Sequence, residues 1–317
     1  MKKLLLFLFG FYSFFLYSQE DNFIGDTLHK SLFKMEEGSV LENIHFTMDL
    51  RLSLHNHHEN GRDDNYTEFR NLFAIGLQGK INDKIGFRFR NRYNREAVLQ
   101  TLDQLDGSVE LAYIDVQLSP RTELLFGKMF AFFGGYEYEF IPADVLEYND
   151  IQNNLLNYVT GIGVKHKISE NHEFGFQALN SRTMRYQDLY EGNVPENVKE
   201  PKWPLALVGN WNGSFFDGKF ETIYSFSRFR IAKQHGTTHA ITLGNKLHLK
   251  KWTLMYDFNI SDEQLDTKGI ISEILDEDLI ALDAVYMEHW LRSEYEFSPS
   301  IKGLITLMTS AMLMQRI

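Results

Sequence analysis

Three arginines stand at alternate positions, Arg88, Arg90 and Arg92, with Phe89 and Asn91 between them. A guanidinium stays charged at any physiological pH, and its planar fork matches the oxygens of phosphate or carboxylate. In an extended segment that spacing projects all three groups from one face, roughly 7 Å apart. Arg51 and Arg70 occupy earlier segments with the same alternation, and Lys165 and Lys167 repeat it later. A row of such groups along an aqueous path would pass an anion between neighbours before it regained full hydration. The alternative is that the arginines pair with Asp49, Glu68, Glu110 and Asp115 and brace a wall. The excess of acids, 43 Asp plus Glu against 32 Lys plus Arg, leaves both readings open.

Other chemistry finds less support. His55, His57 and His58 are metal-ligating types, but they fall in a polar connecting segment without fixed geometry. His29 and Ser31 lack a placed acid partner for hydrolysis. Gly161-Ile162-Gly163 lies inside an alternating segment rather than at the opening of a helix, so it suits close sheet packing and not phosphate binding. There is no cysteine, which excludes disulfides, thiolate metal sites and a thiol nucleophile. A net charge of −11 argues against nucleic acid as a partner. The expectation is a non-enzyme without cofactor or bound metal.

The elements that would position the arginines have a consistent form. Lys2 and Lys3 precede an apolar run, Leu4 to Tyr17, and Ser18-Gln19 opens a polar stretch. That plan predicts a secretory signal peptide over 1–18, followed by a periplasmic segment over 19–43 with a short turn near Leu28 to Met35. From residue 44 onward, alternating segments of about ten residues recur. They predict thirteen strands, at about 44–54, 69–77, 85–94, 108–118, 124–130, 158–168, 173–181, 204–212, 220–228, 238–249, 253–260, 281–297 and 303–313. Connections alternate long and short. The short ones are 80–84, 119–123, 169–172, 213–219, 250–252 and 298–302, and the long ones include 131–157 and 182–203. Tight turns at one end and long loops at the other are the plan of a transmembrane β-barrel. Ten-residue strands also suit a tilted bilayer crossing better than a soluble sheet. Trp211, Phe220, Trp252 and Phe297 near the short turns, with Phe69, Tyr93, Tyr158 and Trp203 near the long loops, would form the two interfacial girdles. A secreted β-sandwich, or a non-conducting surface protein holding a glycan or partner in its long loops, is the competing architecture. Within a barrel the arginines must face the lumen, because a mid-depth charge on the lipid side costs about 2–4 kcal/mol.

The segment Ala112 to Glu137, AYIDVQLSPRTELLFGKMFAFFGGYE, resembles the phosphate-selective porin O and P family. There a strand, tight turn and strand run into a loop of the form G-K-x-x-x-x-F-G-G-x-E. Asn180-Ser181-Arg182, NWNG at Asn210 to Gly213 and LGN at Leu243 to Asn245 are also similar to that family, in versions from Bacteroidetes-type outer membranes. The likeness runs from about residue 44 to the C-terminus. It implies a trimeric barrel of sixteen strands in a Gram-negative outer membrane, in contact with lipid and lipopolysaccharide. It also implies anion passage along an arginine ladder. A third loop, residues 130–157 with Phe130, Phe133, Gly134, Gly135 and Glu137, would fold inward as a constriction, with Lys128 at its base. Small anions such as phosphate, or other small polar solutes, would cross passively. Thirteen readable strands fall short of sixteen, and the chain ends MLMQRI without a terminal aromatic. Either strands escape the reading or the product is truncated at its C-terminus. Acids at Glu137, Glu139, Asp144 and Glu147, and again at 262–263 and 276–278, would oppose anion entry. They would otherwise bind divalent ions that bridge lipopolysaccharide, or be plainly solvated.

Overall fold

In the computed structural model the chain is described over residues 44–57, 66–93, 102–140, 145, 148–184, 198–234, 236–275 and 280–314. The signal peptide, the turn near Leu28, His29, Ser31 and His58 lie outside these residues, as do the acids Asp144, Glu147 and 276–278. Thirteen strands form one antiparallel sheet in strict sequence order, from β1 to β13. They are β1 Ile44–His57, β2 Tyr66–Asn82, β3 Ile85–Arg92, β4 Val109–Ser119, β5 Thr122–Phe130, β6 Tyr158–Ser169 and β7 His172–Asn180. After these come β8 Leu205–Phe215, β9 Phe220–Arg230, β10 Thr237–Leu249, β11 Trp252–Leu265, β12 Leu282–Ser298 and β13 Ile301–Met314. This is the up-and-down meander of a transmembrane barrel, with β1 and β13 as its two edge strands among the described residues.

Every expected strand is present, and most run longer than the alternation indicates. β2 extends to Tyr66, β9 to Arg230 and β11 to Leu265. Polar strand ends beyond the apolar band carry little hydrophobic alternation, so their pattern fades before their hydrogen bonding does. Two short helices were not foreseen: α1, Asp150–Asn154, and α2, Ile270–Leu275. Elements this short offer less than two turns of periodicity to read.

Alternation divides the wall cleanly. On β1 the apolar residues Phe46, Met48, Leu50, Leu52 and Leu54 are exposed outward, as are Phe69 and Leu77 on β2 and Phe89 on β3. Trp252 and Phe297 at the short turns are exposed, as are Phe69, Tyr93 and Trp203 near the long loops. These five sit as the expected girdles require, while Trp211, Phe220 and Tyr158 are half-buried. Gly161 permits a close strand approach, since a Cβ there would collide with the Ala178 carbonyl oxygen on β7.

The interior is not uniformly wet. Leu125, Met129, Val159, Leu179, Ala206, Val208, Phe229 and Leu265 project from β5–β9 and β11 into one buried apolar cluster. Ala131 and Phe133, from the segment after β5, join it, with Val198, Ile231 and Ala232 from the connections before β8 and after β9. Burying an aromatic of that kind contributes about 1.5–3 kcal/mol. Half of the barrel therefore has a packed core on its inner side. The chain entering β12 is folded back in a similar way. Asp266 accepts hydrogen bonds from the Gly269 and Ser272 N–H groups at 3.0 and 2.9 Å, from Ser272 Oγ at 2.7 Å and from the Tyr286 hydroxyl at 2.5 Å.

Candidate functional site

The segment after β5 turns into the lumen because wall side chains take up its main-chain groups one after another. Gln177 on β7 receives the Phe132 N–H at 2.7 Å and donates to the Phe130 carbonyl at 3.0 Å. Ser225 on β9 donates to the Phe133 carbonyl. The Gly135 N–H reaches the Ile223 carbonyl at 3.3 Å, and the Glu137 N–H reaches Asp257 Oδ2 on β11 at 2.7 Å. Glu288 on β12 accepts the Ile151 N–H at 2.6 Å, just as the chain turns back toward β6. Gly134 and Gly135 have φ of +72° and +85°, a region L side chains rarely adopt. A Cβ on Gly135 would also lie 2.9 Å from Asp257 Oδ2. The paired glycines are thus what lets the loop lie flat against β9 and β11.

Glu137 closes the loop on itself. Its carboxylate accepts the Asn149 N–H at 2.8 Å and lies 3.3 Å from Asn149 Nδ2. Burial pushes its pKa up to about 8; the Asn149 hydrogen bond opposes the shift, and the charges of Asp257 and Glu288 add to it. A carboxyl raised in the folded state keeps a proton that the unfolded chain gives up. Its contribution is therefore full below about pH 4.5, the ordinary value, and is lost as pH rises toward 8. Glu137→Gln removes this dependence. The variant should melt at a higher temperature than the parent at pH 9, with the gap closing by pH 4. Heat-modifiability in detergent at both pH values measures it, and parallel pH profiles would refute the assignment.

The five arginines share one lumenal surface. The register places Arg51 opposite Leu72, Arg88 opposite Gln78, Arg90 opposite Gly76 and Arg92 opposite Ala74, all on the face away from the outward apolar residues. Lys80 extends the same face toward the short turn. Their partners differ. Arg90 is gripped on two sides, with Nη2 2.9 Å from Asp49 Oδ2 and Nε 3.1 Å from Glu110 Oε2. Those are charge contacts, not aligned hydrogen bonds. Arg92 Nη1 lies 3.6 Å from Glu110 Oε1, and Arg70 pairs with Glu68. Glu110 is fully buried where a register shift interrupts the β3–β4 ladder. Arg51 donates to the Val145 carbonyl and so ties the wall to the loop. Arg88 makes no ion pair or side-chain hydrogen bond recorded among the described residues. Bracing and ladder therefore coexist on one strand.

The remaining expected residues are distributed as follows. Lys165 and Lys167 face inward on β6, and Lys165 Nζ stands 5.4 Å from the Phe132 ring. Lys128 is 1 % exposed and 3.7 Å from Asp103 Oδ2, on the opposite side of β5 from Met129 in the apolar cluster. Lys128 therefore shares the outward side of β5 with Phe126 rather than the lumenal side, and, contrary to the expectation of a pore-lining residue, its charge is matched by Asp103. Phe130 packs edge-on against Tyr138 and Tyr158, and Phe133 packs against Phe229. His55 contacts Ser53 Oγ at 3.0 Å, and no metal-ligating group of three or more gathers among the described residues.

Several lumenal groups escaped the sequence reading. Lys246 on β10 approaches Glu221 at 3.3 Å and the Tyr136 ring at 5.5 Å. Arg292 on β12 stacks 3.9 Å over Phe140 and holds Glu294 at 2.7 Å. Both sit at inward positions of strands correctly placed by alternation, so their direction was available. What was missing was that the loop's aromatic rings would come to meet them.

The sequence profile of the phosphate-selective porin O and P family matches residues 43–299. No curated protein matches the chain. Among solved structures it is similar to OmpF of Salmonella typhi in complex with daunomycin, at TM-score 0.58 and 11 % identity, over 84 % of this chain and 79 % of that one. The outer membrane channel DcaP of Acinetobacter baumannii aligns at TM-score 0.54 and 10 % identity, over 86 % and 80 % of the two chains. An anion-selective porin from Comamonas acidovorans aligns at 0.52 and 10 %, over 84 % and 78 %. At these identities the likeness is one of fold.

Proposed function

The chain belongs to the phosphate-selective porin O and P family, an outer-membrane channel for small solutes by that membership, and from this premise we propose that its traffic is anionic. The observation that carries the reading is the charge of one wall. The lumenal faces of β1–β3 hold Arg51, Arg70, Lys80, Arg88, Arg90 and Arg92 against Asp49 and Glu68. Glu110 and Asp115 on β4 offset part of this, Asp115 in the row of Lys80 and Gly86, while neither Arg88 nor Lys80 makes an ion pair within 4 Å recorded among the described residues. Small anions, inorganic phosphate among them, would move past this wall while the docked loop limits the cross-section. Passage is passive diffusion. Export by the signal segment read at residues 1–18, with insertion in a Gram-negative outer membrane and trimeric assembly as the family resemblance implies, completes the proposal.

The test is the reversal potential of the refolded chain in a planar bilayer under a salt gradient. An anion-selective potential is expected, with Arg88→Gln lowering the anion-to-cation permeability ratio about two- to fivefold, as suits loss of one solvated lumenal charge. A cation-selective or unselective parent would keep the channel and overturn its preference for anions.

A further inference from the structure

The outer surface of β9 changes character abruptly near the long-loop end. Phe220, Tyr224 and Phe226 face outward, and the next outward positions are Arg228 and Arg230, both exposed. Their direction is fixed by the intervening residues, since Ser227 and Phe229 are buried inside and Phe229 belongs to the lumenal apolar cluster. The strands on one side, β10 and β11, make the same change at the same height, while β8 stays apolar there. Phe226 lies level with Ile241, and Ile241 with Ile260, while one row further out Leu207, Arg228, His239 and Asp262 stand side by side. Trp203, 77 % exposed, flanks this row where the chain enters β8, as an interfacial aromatic does. Exposed Lys202 adds a further cation beside it, and Asp262 is the one carboxylate in the row.

We propose that Arg228 and Arg230 form a headgroup site on the outside of the barrel for a phosphorylated glycolipid of the outer leaflet. This rests on the outer-membrane reading but not on anion conduction. The two guanidinium groups are two residues apart on one strand, roughly 7 Å, and each presents a bidentate fork. They stand immediately above lipid-facing apolar side chains, at the level where the acyl chains of a bound lipid end and its phosphates begin. Charge complementarity selects the occupant: a neutral or zwitterionic headgroup would leave two adjacent cations unmatched at the interface. His239, between Arg228 and Asp262 and stacked on Phe226 at 5.9 Å, would contact the sugar. Asp262 lies two strands from Arg228, far enough to leave the guanidinium open while limiting how far the anionic patch of the lipid can extend.

The experiment refolds the full chain into phosphatidylethanolamine nanodiscs containing a small fraction of diphosphorylated lipid A, extracts it in mild detergent and counts the lipid A that copurifies. The parent should retain diphosphorylated lipid A at about tenfold excess over a dephosphorylated form, and Arg228→Gln with Arg230→Gln should abolish that excess. Equal retention of the two lipids by the parent overturns the site without any variant. Retention by a heat-modifiable, folded double variant equal to the parent's also overturns it. Free inorganic phosphate at millimolar concentration should not displace the lipid; displacement would overturn a lipid site in favour of a simple phosphate site that the lipid's phosphates happen to enter. Reversal potentials of parent and double variant should coincide, so failure here and failure of anion conduction are read separately.

Discussion

Asp257→Ala is expected to release the constriction loop and to give a larger, noisier single-channel conductance. The carboxylate is buried on β11 and accepts the Glu137 N–H at 2.7 Å, next to the paired glycines that lay the loop flat. Alanine leaves that donor without a partner in a site closed to solvent, which costs about 1–3 kcal/mol. The undocked loop gains population by roughly five- to 150-fold, while the Gln177, Ser225 and Glu288 contacts hold its two ends. Asp257→Asn retains an acceptor at the same position and should change conductance far less. Selectivity should weaken in the alanine variant, because an ion passing a wider opening spends less of its path near the basic wall. Bilayer recordings of the three proteins at one salt concentration decide this. Identical conductance in Asp257→Ala and the parent would mean the loop does not set the cross-section.

The second large effect concerns Glu110→Gln. Glu110 is the shared carboxylate of Arg90 and Arg92, fully buried, and its neutralisation removes a charge partner from both guanidinium groups while Asp49 still faces Arg90. Breaking one side of a buried charge cluster typically costs about 3–5 kcal/mol, so the thermal midpoint should fall by several degrees. The same change unmasks a positive charge on the lumenal face. If the arginine row guides ions, the anion-to-cation permeability ratio should rise even as stability drops. If the arginines only brace the wall, stability drops and the ratio stays where it was. Opposite movement of the two readouts is the signature of a residue that holds the ladder together by suppressing part of its charge.

How much of this was legible beforehand differs between wall and loop. The strands declare themselves because each residue's side is set by a period of two, and a charge on the wrong side meets lipid. That constraint placed Arg51, Arg70, Arg88, Arg90 and Arg92 on one surface before any coordinates. It could not say that Glu110 would reach Arg90 and Arg92, since that depends on a register shift between Arg90 and Asn91 that leaves no mark on hydrophobicity. The loop resisted for a different reason. Family likeness puts Phe133, Gly134 and Gly135 in an inward loop, but its dock is assembled from Gln177, Ser225, Asp257 and Glu288 on four separate strands. Contacts separated by 45 to 137 positions have no periodic trace in one sequence. Lys128 shows the limit most plainly. Its place beside Gly127 suggests a pore residue by likeness, while its burial against Asp103 follows from a connection whose path the local sequence does not encode.

The hydrogen bonds that hold the constriction loop have a common property. Gln177, Ser225, Asp257, Glu288 and the Ile223 carbonyl all address main-chain N–H or C=O groups of the loop. A backbone group is the same whatever side chain its residue carries. Apart from the buried Ala131, Phe133, Tyr136, Glu137, Val145, Asn149 and Ile151 and the two glycines, a described loop residue can therefore be exchanged with its dock left standing. The scaffold that shapes the opening and the side chains that choose what crosses it are inherited separately. A lineage could re-tune such a channel to a new nutrient by point changes in the loop, without passing through an intermediate whose barrel fails to fold.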